Sequence, residues 1–233
     1  MVDRSSISQT RTGSAVDAGL RSHMASVYNR MTLGLVITAI TAWLVASTPA
    51  LMALFLGGPQ AYIIMFAPLA VVWFGFNPVK MNSSKLMIAF TAVSVLYGIS
   101  FSTIALAYSG ESIARAFFIT GGMFAGLSIF GYTTKKDLTA LGTFAVMAII
   151  GVLLISIVGM FVGFSSQVQM LISAVAILAF SGITAFETQR TKEMYNIAHG
   201  AEGNSRLAWS SALSLYISFV AIFIHVLQLM NQR

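Results

Sequence analysis

The sequence predicts an all-α integral membrane protein with seven transmembrane helices, and three observations carry that expectation. Hydrophobic residues make up 57% of the 233 positions and charged residues only 9%, whereas a soluble domain carries roughly a quarter charged residues. Those few charges leave long gaps. No Asp, Glu, Lys or Arg falls between Arg30 and Lys80, Lys85 and Glu111, Arg115 and Lys135, Asp137 and Glu187, or Arg206 and Arg233. A crossing of the hydrocarbon core takes about 20 apolar residues. The first and fourth gaps are about twice that long, and turn residues cut each of them: Gly57-Gly58-Pro59 in one, Ser165-Ser166-Gln167 in the other.

Seven segments follow, at 31–56, 61–76, 86–108, 116–132, 138–161, 168–186 and 208–229. They are too long and too uniformly apolar for the alternating strands of a membrane barrel, so each is read as a helix. Ahead of them lies a polar stretch, 1–30, expected to stand apart from the membrane domain 31–233. Within it Val16, Leu20, Met24, Val27 and Met31 recur at helical spacing and suggest a short interfacial helix. That stretch has no early apolar core or small-residue cleavage site, so a cleavable secretory signal is not expected, and Asp3 and Asp17 argue against an organelle transit peptide.

The formal charge of +6 belongs to loops rather than to a basic surface. Taking loops alternately, one side holds Arg4, Arg11, Arg21, Arg30, Lys80, Lys85, Lys135, Lys136, Arg190, Lys192 and Arg206, and the other only Arg115 and Arg233. This positive-inside bias predicts a cytoplasmic N-terminus and an external C-terminus. The basic residues read as topology signals facing anionic lipid, and no nucleic-acid partner is expected.

Small residues recur four apart at Ser94, Gly98 and Ser102, at Gly122 and Gly126, and at Gly159 and Gly163. Such stripes let helix backbones approach closely in lipid, and helix packing is their expected role. Cysteine is absent, which removes disulfides, thiolate nucleophiles and Cys-ligated zinc. Three histidines, His23, His199 and His225, lie too far apart in sequence to suggest a ligand cluster. Ser128 is the nearest candidate nucleophile for His225, but the two are placed at opposite depths, and no phosphate-binding Gly-Lys motif or HExxH occurs. No catalytic residue is assigned and the chain is not expected to be an enzyme.

An acid close to a span is a functional suspect, because a charge at mid-bilayer costs on the order of 3 kcal/mol. Glu187 closes the sixth span in Phe186-Glu187-Thr188-Gln189. It is either a working carboxylate or one that reaches the interface to pair with a base such as Arg190. Asp137, after Lys135 and Lys136, is expected to cap the fifth helix.

Three pieces of the sequence together resemble the Bax inhibitor-1 family, in its short bacterial YccA- and YetJ-like branch of transmembrane Bax inhibitor motif proteins. They are Lys135-Lys136-Asp137-Leu138, Phe186-Glu187-Thr188-Gln189, and Leu213-Ser214-Leu215-Tyr216-Ile217-Ser218-Phe219. The resemblance runs from the first span to the end. It implies a bundle with helix seven central, an inner-membrane location, and a pH-sensitive calcium leak. Family members typically carry an acid pair at the positions of Glu187 and Ser218, latched by a base at the inner end of the second span, where Lys80 stands. Thr188 joins Asp137 as a secondary candidate. Ser218 cannot ionise, so the like-charge contribution of two acids sharing a proton is missing. A lone carboxylate also falls short of the six to eight oxygens that calcium takes. No resident metal or cofactor is expected, and calcium enters as a transported ion. The alternative implied by the resemblance is a non-transporting regulator that binds a membrane protease of the FtsH type, with 1–30 as its handle.

Overall fold

The computed structural model describes the backbone of residues 4–231 and the side chains of residues 18–231 other than Met160. Eight α-helices carry the described chain: α1 (Arg4–Ala46), α2 (Pro49–Leu56), α3 (Gln60–Ala70), α4 (Ser83–Ala107), α5 (Gly110–Thr133), α6 (Thr139–Val162), α7 (Ser166–Met194) and α8 (Gly200–Asn231). A π-helical turn, Val71–Gly75, extends α3, and a 3-10 turn, Ile197–His199, precedes α8. Six of these helices are long and apolar enough to cross a bilayer, and the pair formed by α2 and α3, bent by 78°, makes up the seventh candidate span.

Two boundaries differ from expectation for local reasons. The first span ends at Ala46, not near residue 56, because Ser47 and Thr48 break the helix and Pro49 begins a new one. Proline suits that first position, where its missing N–H would have had no helical partner. The sixth span runs eight residues past Phe186 to Met194. Charge marks where a helix leaves lipid, but it does not stop the helix. The stop comes at Tyr195, whose backbone is extended, and Asn196, whose side chain accepts from the Ala198 N–H at 2.9 Å.

The segment before residue 31 is continuous with the first span. Met24, Val27 and Met31 are buried, and Val27 and Met31 join the main apolar cluster, so 18–30 is part of the bundle instead of a separate surface helix. Of the expected handle, 1–30, residues 1–17 lie outside the described side chains.

The centre of the bundle is α8, which packs on α1, α4, α5 and α7. Its Trp209, Leu215, Tyr216 and Phe219 meet Val27 and Met31 of α1, Leu86, Phe90 and Val93 of α4, and Phe124 of α5. Tyr216 is fully buried between the rings of Phe90 and Tyr97, with centroids at 5.5 and 5.8 Å. Its hydroxyl lies 2.7 Å from Thr38 Oγ1, whose own proton is shared by the carbonyls of Gly34 and Ser94, each at 2.9 Å. Tyr216 is therefore the donor, and a polar group deep in the bundle is satisfied.

Of the three small-residue stripes, the one on α4 joins helices. A Cβ on Gly98 would sit 2.6 Å from Thr41 Cβ and 2.8 Å from the Thr38 carbonyl, so α1 and α4 touch there by backbone. Gly122 and Gly126 have nothing within 4 Å of a notional Cβ. Gly163 is the residue after α6, with φ of 70°, a left-handed conformation that glycine adopts without strain.

Candidate functional site

The polar chemistry gathers at the end of the bundle that carries Arg30, Lys85, Lys136, Lys192 and Arg206, here termed the basic end. The last turns of α7 build much of it. Glu187 lies 21 residues into α7, roughly 32 Å along its axis at 1.5 Å per residue, which is about one hydrocarbon thickness. Its side chain is only 16% exposed, and one oxygen receives a long hydrogen bond from Arg190 Nη1 at 3.4 Å. Arg190, 55% exposed, reaches water. The pair thus joins a mostly covered carboxylate to a wet guanidinium one turn on.

Around it, Thr188 is fully buried and its hydroxyl has no partner among the described residues. Gln189 clamps the loop before α6, with Oε1 accepting from the Leu138 N–H and Nε2 donating to the Lys136 carbonyl, both at 2.9 Å. Lys192 donates to the Tyr132 carbonyl at 2.7 Å and so holds the end of α5. Asp137 Oδ1 accepts from the Thr139 N–H at 2.8 Å, acting from one residue before the cap position of α6, which Leu138 occupies. Hydrogen bonds from Thr139 hold the exposed Asp137 carboxyl below the usual carboxylate range.

Ser218 is buried on α8, the neighbour of α7, but no hydrogen bond joins it to Glu187 among the described residues. Lys80 departs from expectation more clearly. It is exposed on the turn between the π-helical segment and α4, and it makes no ion pair with Glu187. The turn closes on itself, with Asn77 Oδ1 accepting from the Val79 and Lys80 N–H groups at 3.1 Å, which fixes the backbone and leaves the Lys80 side chain outside. The base that Glu187 meets is Arg190, the partner expected for a carboxylate that reaches the interface.

The sequence marks Arg206 and Arg30 only as loop charges and gives Glu202 no role, yet all three act as braces. Arg206 Nε donates to the Pro78 carbonyl at 2.9 Å, pinning the end of the second span to α8. The Glu202 carboxylate accepts from the Ser83 N–H at 2.7 Å, joining α8 to the start of α4. Arg30 Nη1 donates to the Ser205 carbonyl at 2.6 Å, and its guanidinium lies over the Trp209 ring. Spacing could not have shown these bonds, since each joins residues more than a hundred positions apart.

At the opposite end, His225 Nδ1 stands 3.4 Å from Ser173 Oγ, which donates to Gln228 Oε1 at 3.3 Å. Ser128 lies on α5 with its hydroxyl buried and without a partner among the described residues, in the wall of a different cavity from that of His225. Among the described residues no three His, Asp or Glu side chains come together.

Comparison with known proteins agrees with this architecture. A family described as "Inhibitor of apoptosis-promoting Bax1" matches residues 20–233. A Caulobacter vibrioides protein is 40% identical, covering 94% of this chain and 91% of the relative. A Rickettsia prowazekii protein is 36% identical over 97% and 96% respectively. The inner membrane protein YbhL of Escherichia coli is 34% identical over 93% and 94%. With nearly the whole of both chains aligned and a helical bundle built around α8, this chain belongs to the Bax inhibitor-1 family of membrane proteins.

Proposed function

We propose that the protein is a pH-sensitive calcium leak of the inner membrane, with the basic end toward the cytoplasm and Glu187 as its gate. The supporting observation is the Glu187 carboxylate, 16% exposed on a membrane helix that packs against the central α8 and held by the Arg190 guanidinium. A group so placed is coupled to its surroundings by charge. Ionised, it draws Arg190 across the end of α7. Protonated, it loses most of that attraction, and the balance between closed and open packing at α7 shifts.

For calcium to pass, its water shell must be partly replaced, and six to eight oxygens are needed. Glu187 supplies carboxylate oxygens, while the buried hydroxyls of Thr188 and Ser218, backbone carbonyls and water supply the others. With Lys80 outside the bundle, Arg190 takes the part of the basic latch. Purified protein reconstituted into liposomes should release calcium at a rate that changes with pH, and Glu187→Gln should flatten that dependence. Superimposable pH profiles for wild type and variant would remove Glu187 from the mechanism.

A further inference from the structure

A cavity of about 340 Å³ opens at the basic end between α1 and the first turns of α8, and Glu187 is not part of its wall. Its wall is polar on both helices: Ser22, His23, Ser26 and Arg30 from α1, Asn204 and Ser205 from α8. Tyr195 closes one side, its hydroxyl packed so tightly on Gly19 that a Cβ there would collide with it. We infer that this cavity is a binding site for a phosphate group, carried either by a small phosphorylated solute or by a phospholipid headgroup.

Charge is the first argument. Arg30 is part-buried, and its bonding partners are all neutral: the Ser205 carbonyl at 2.6 Å, the Ser205 hydroxyl at 3.0 Å and the face of Trp209 at 4.4 Å. A guanidinium taken partly out of water is stabilised far better by an anion than by dipoles, and its planar fork matches phosphate oxygens. Among the described residues no carboxylate pairs with it. The nearest acid on α8, Glu202, is turned to Ser83 of α4 and is not part of the cavity wall.

The second argument is an unused polar group. His23 is 7% exposed and lines the cavity, and among the described residues neither its Nε2 nor Asn204 Oδ1 in the same wall has a hydrogen-bond partner. Buried imidazole nitrogens are nearly always paired, so an unpaired one beside a cationic cavity indicates a missing partner. The hydroxyls of Ser22 and Ser26 and the positive end of α8 at Ala201 add donors and field of the sign an oxyanion needs.

The test is thermal unfolding of the purified full chain in detergent, titrated with inorganic phosphate, with chloride and acetate at matched ionic strength as controls. A second arm adds phosphatidic acid to the micelles in place of phosphate. Protection by inorganic phosphate identifies a soluble ligand, and protection by phosphatidic acid alone identifies a headgroup; either supports the site. Arg30→Gln should weaken the protecting ligand roughly tenfold or more, the loss expected for a charge-assisted contact. Because Arg30 also braces Ser205, a second variant is needed. Ser26→Asp places a carboxylate in the cavity and should abolish protection while leaving the unliganded protein as stable as wild type or more so. Equal protection by phosphate, chloride and acetate, no protection by either phosphate source, or undiminished protection in Ser26→Asp would overturn the inference.

Discussion

Helices α6 and α8 are both long, apolar spans, yet they occupy opposite places in the molecule. The more apolar of the two, α6, leaves much of its surface to lipid, with Phe144 70% exposed. By contrast α8, interrupted by Ser211, Ser214, Tyr216 and Ser218, is the most buried span and touches four others. In water that order would be reversed. Lipid tails are as apolar as leucine, so greasiness gives no reason to be inside, and helices associate through close packing and hydrogen bonds between polar groups. The centre of this bundle is therefore where hydroxyls and rings interlock.

That contrast should appear first in stability. Tyr216→Ala in α8 removes a fully buried ring and strips Thr38 of its hydroxyl partner, and should destabilise by about 3–5 kcal/mol. Phe144→Ala in α6 should shift stability by less than about 0.5 kcal/mol. Thermal denaturation of both variants in the same micelle checks the pair, and comparable losses would break the distinction.

Glycines sharpen it further. Gly98→Val forces a side chain against the Thr38 carbonyl where α1 and α4 meet, with an expected loss of about 1–3 kcal/mol. Gly122→Ala, with open space around it, should be neutral or gain up to about 1 kcal/mol from helix propensity. A lowered denaturation midpoint for Gly98→Val and an unchanged or raised one for Gly122→Ala are the expected outcome.

The loop that leads into α6 depends on α7 in a similar way. Gln189→Ala deletes both bonds of the clamp on Lys136 and Leu138, and should destabilise by about 1–3 kcal/mol, with faster hydrogen exchange at the Leu138 amide. Smallest of all is the pH effect at Asp137. Its folded-state pKa is depressed, so its stabilisation is present above the ordinary aspartate range and fades as pH falls through the lowered value. In Asp137→Asn the fall of Tm with acid should be shallower than in wild type.

The spans were legible in the sequence because charge is excluded from hydrocarbon, and the gaps between charges survive any detail of packing. Where two rules competed, legibility ended. The break at Ala46 sits inside a stretch with no charge at all, and only Pro49 marked it. The end of α7 was placed at Glu187 because charge signals the membrane surface, while the helix itself continues through seven further residues. Equal spacing of Gly98 and Gly122 hid unequal neighbours, since spacing names a face but not what lies across from it. At the candidate site, the Glu187–Arg190 pair was legible as neighbours one helical turn apart. The braces made by Arg30, Arg206 and Gln189 were not, because they depend on which loops the bundle brings together.

The central claim is that the charge state of Glu187 acts through Arg190. It is tested most directly by calcium release from proteoliposomes, followed from acid to neutral pH, for wild type, Glu187→Gln, Arg190→Gln and the double variant. The account predicts that Arg190→Gln alters the pH profile of the wild type and adds nothing once Glu187 is already Gln. Independent, additive effects of the two substitutions would contradict it.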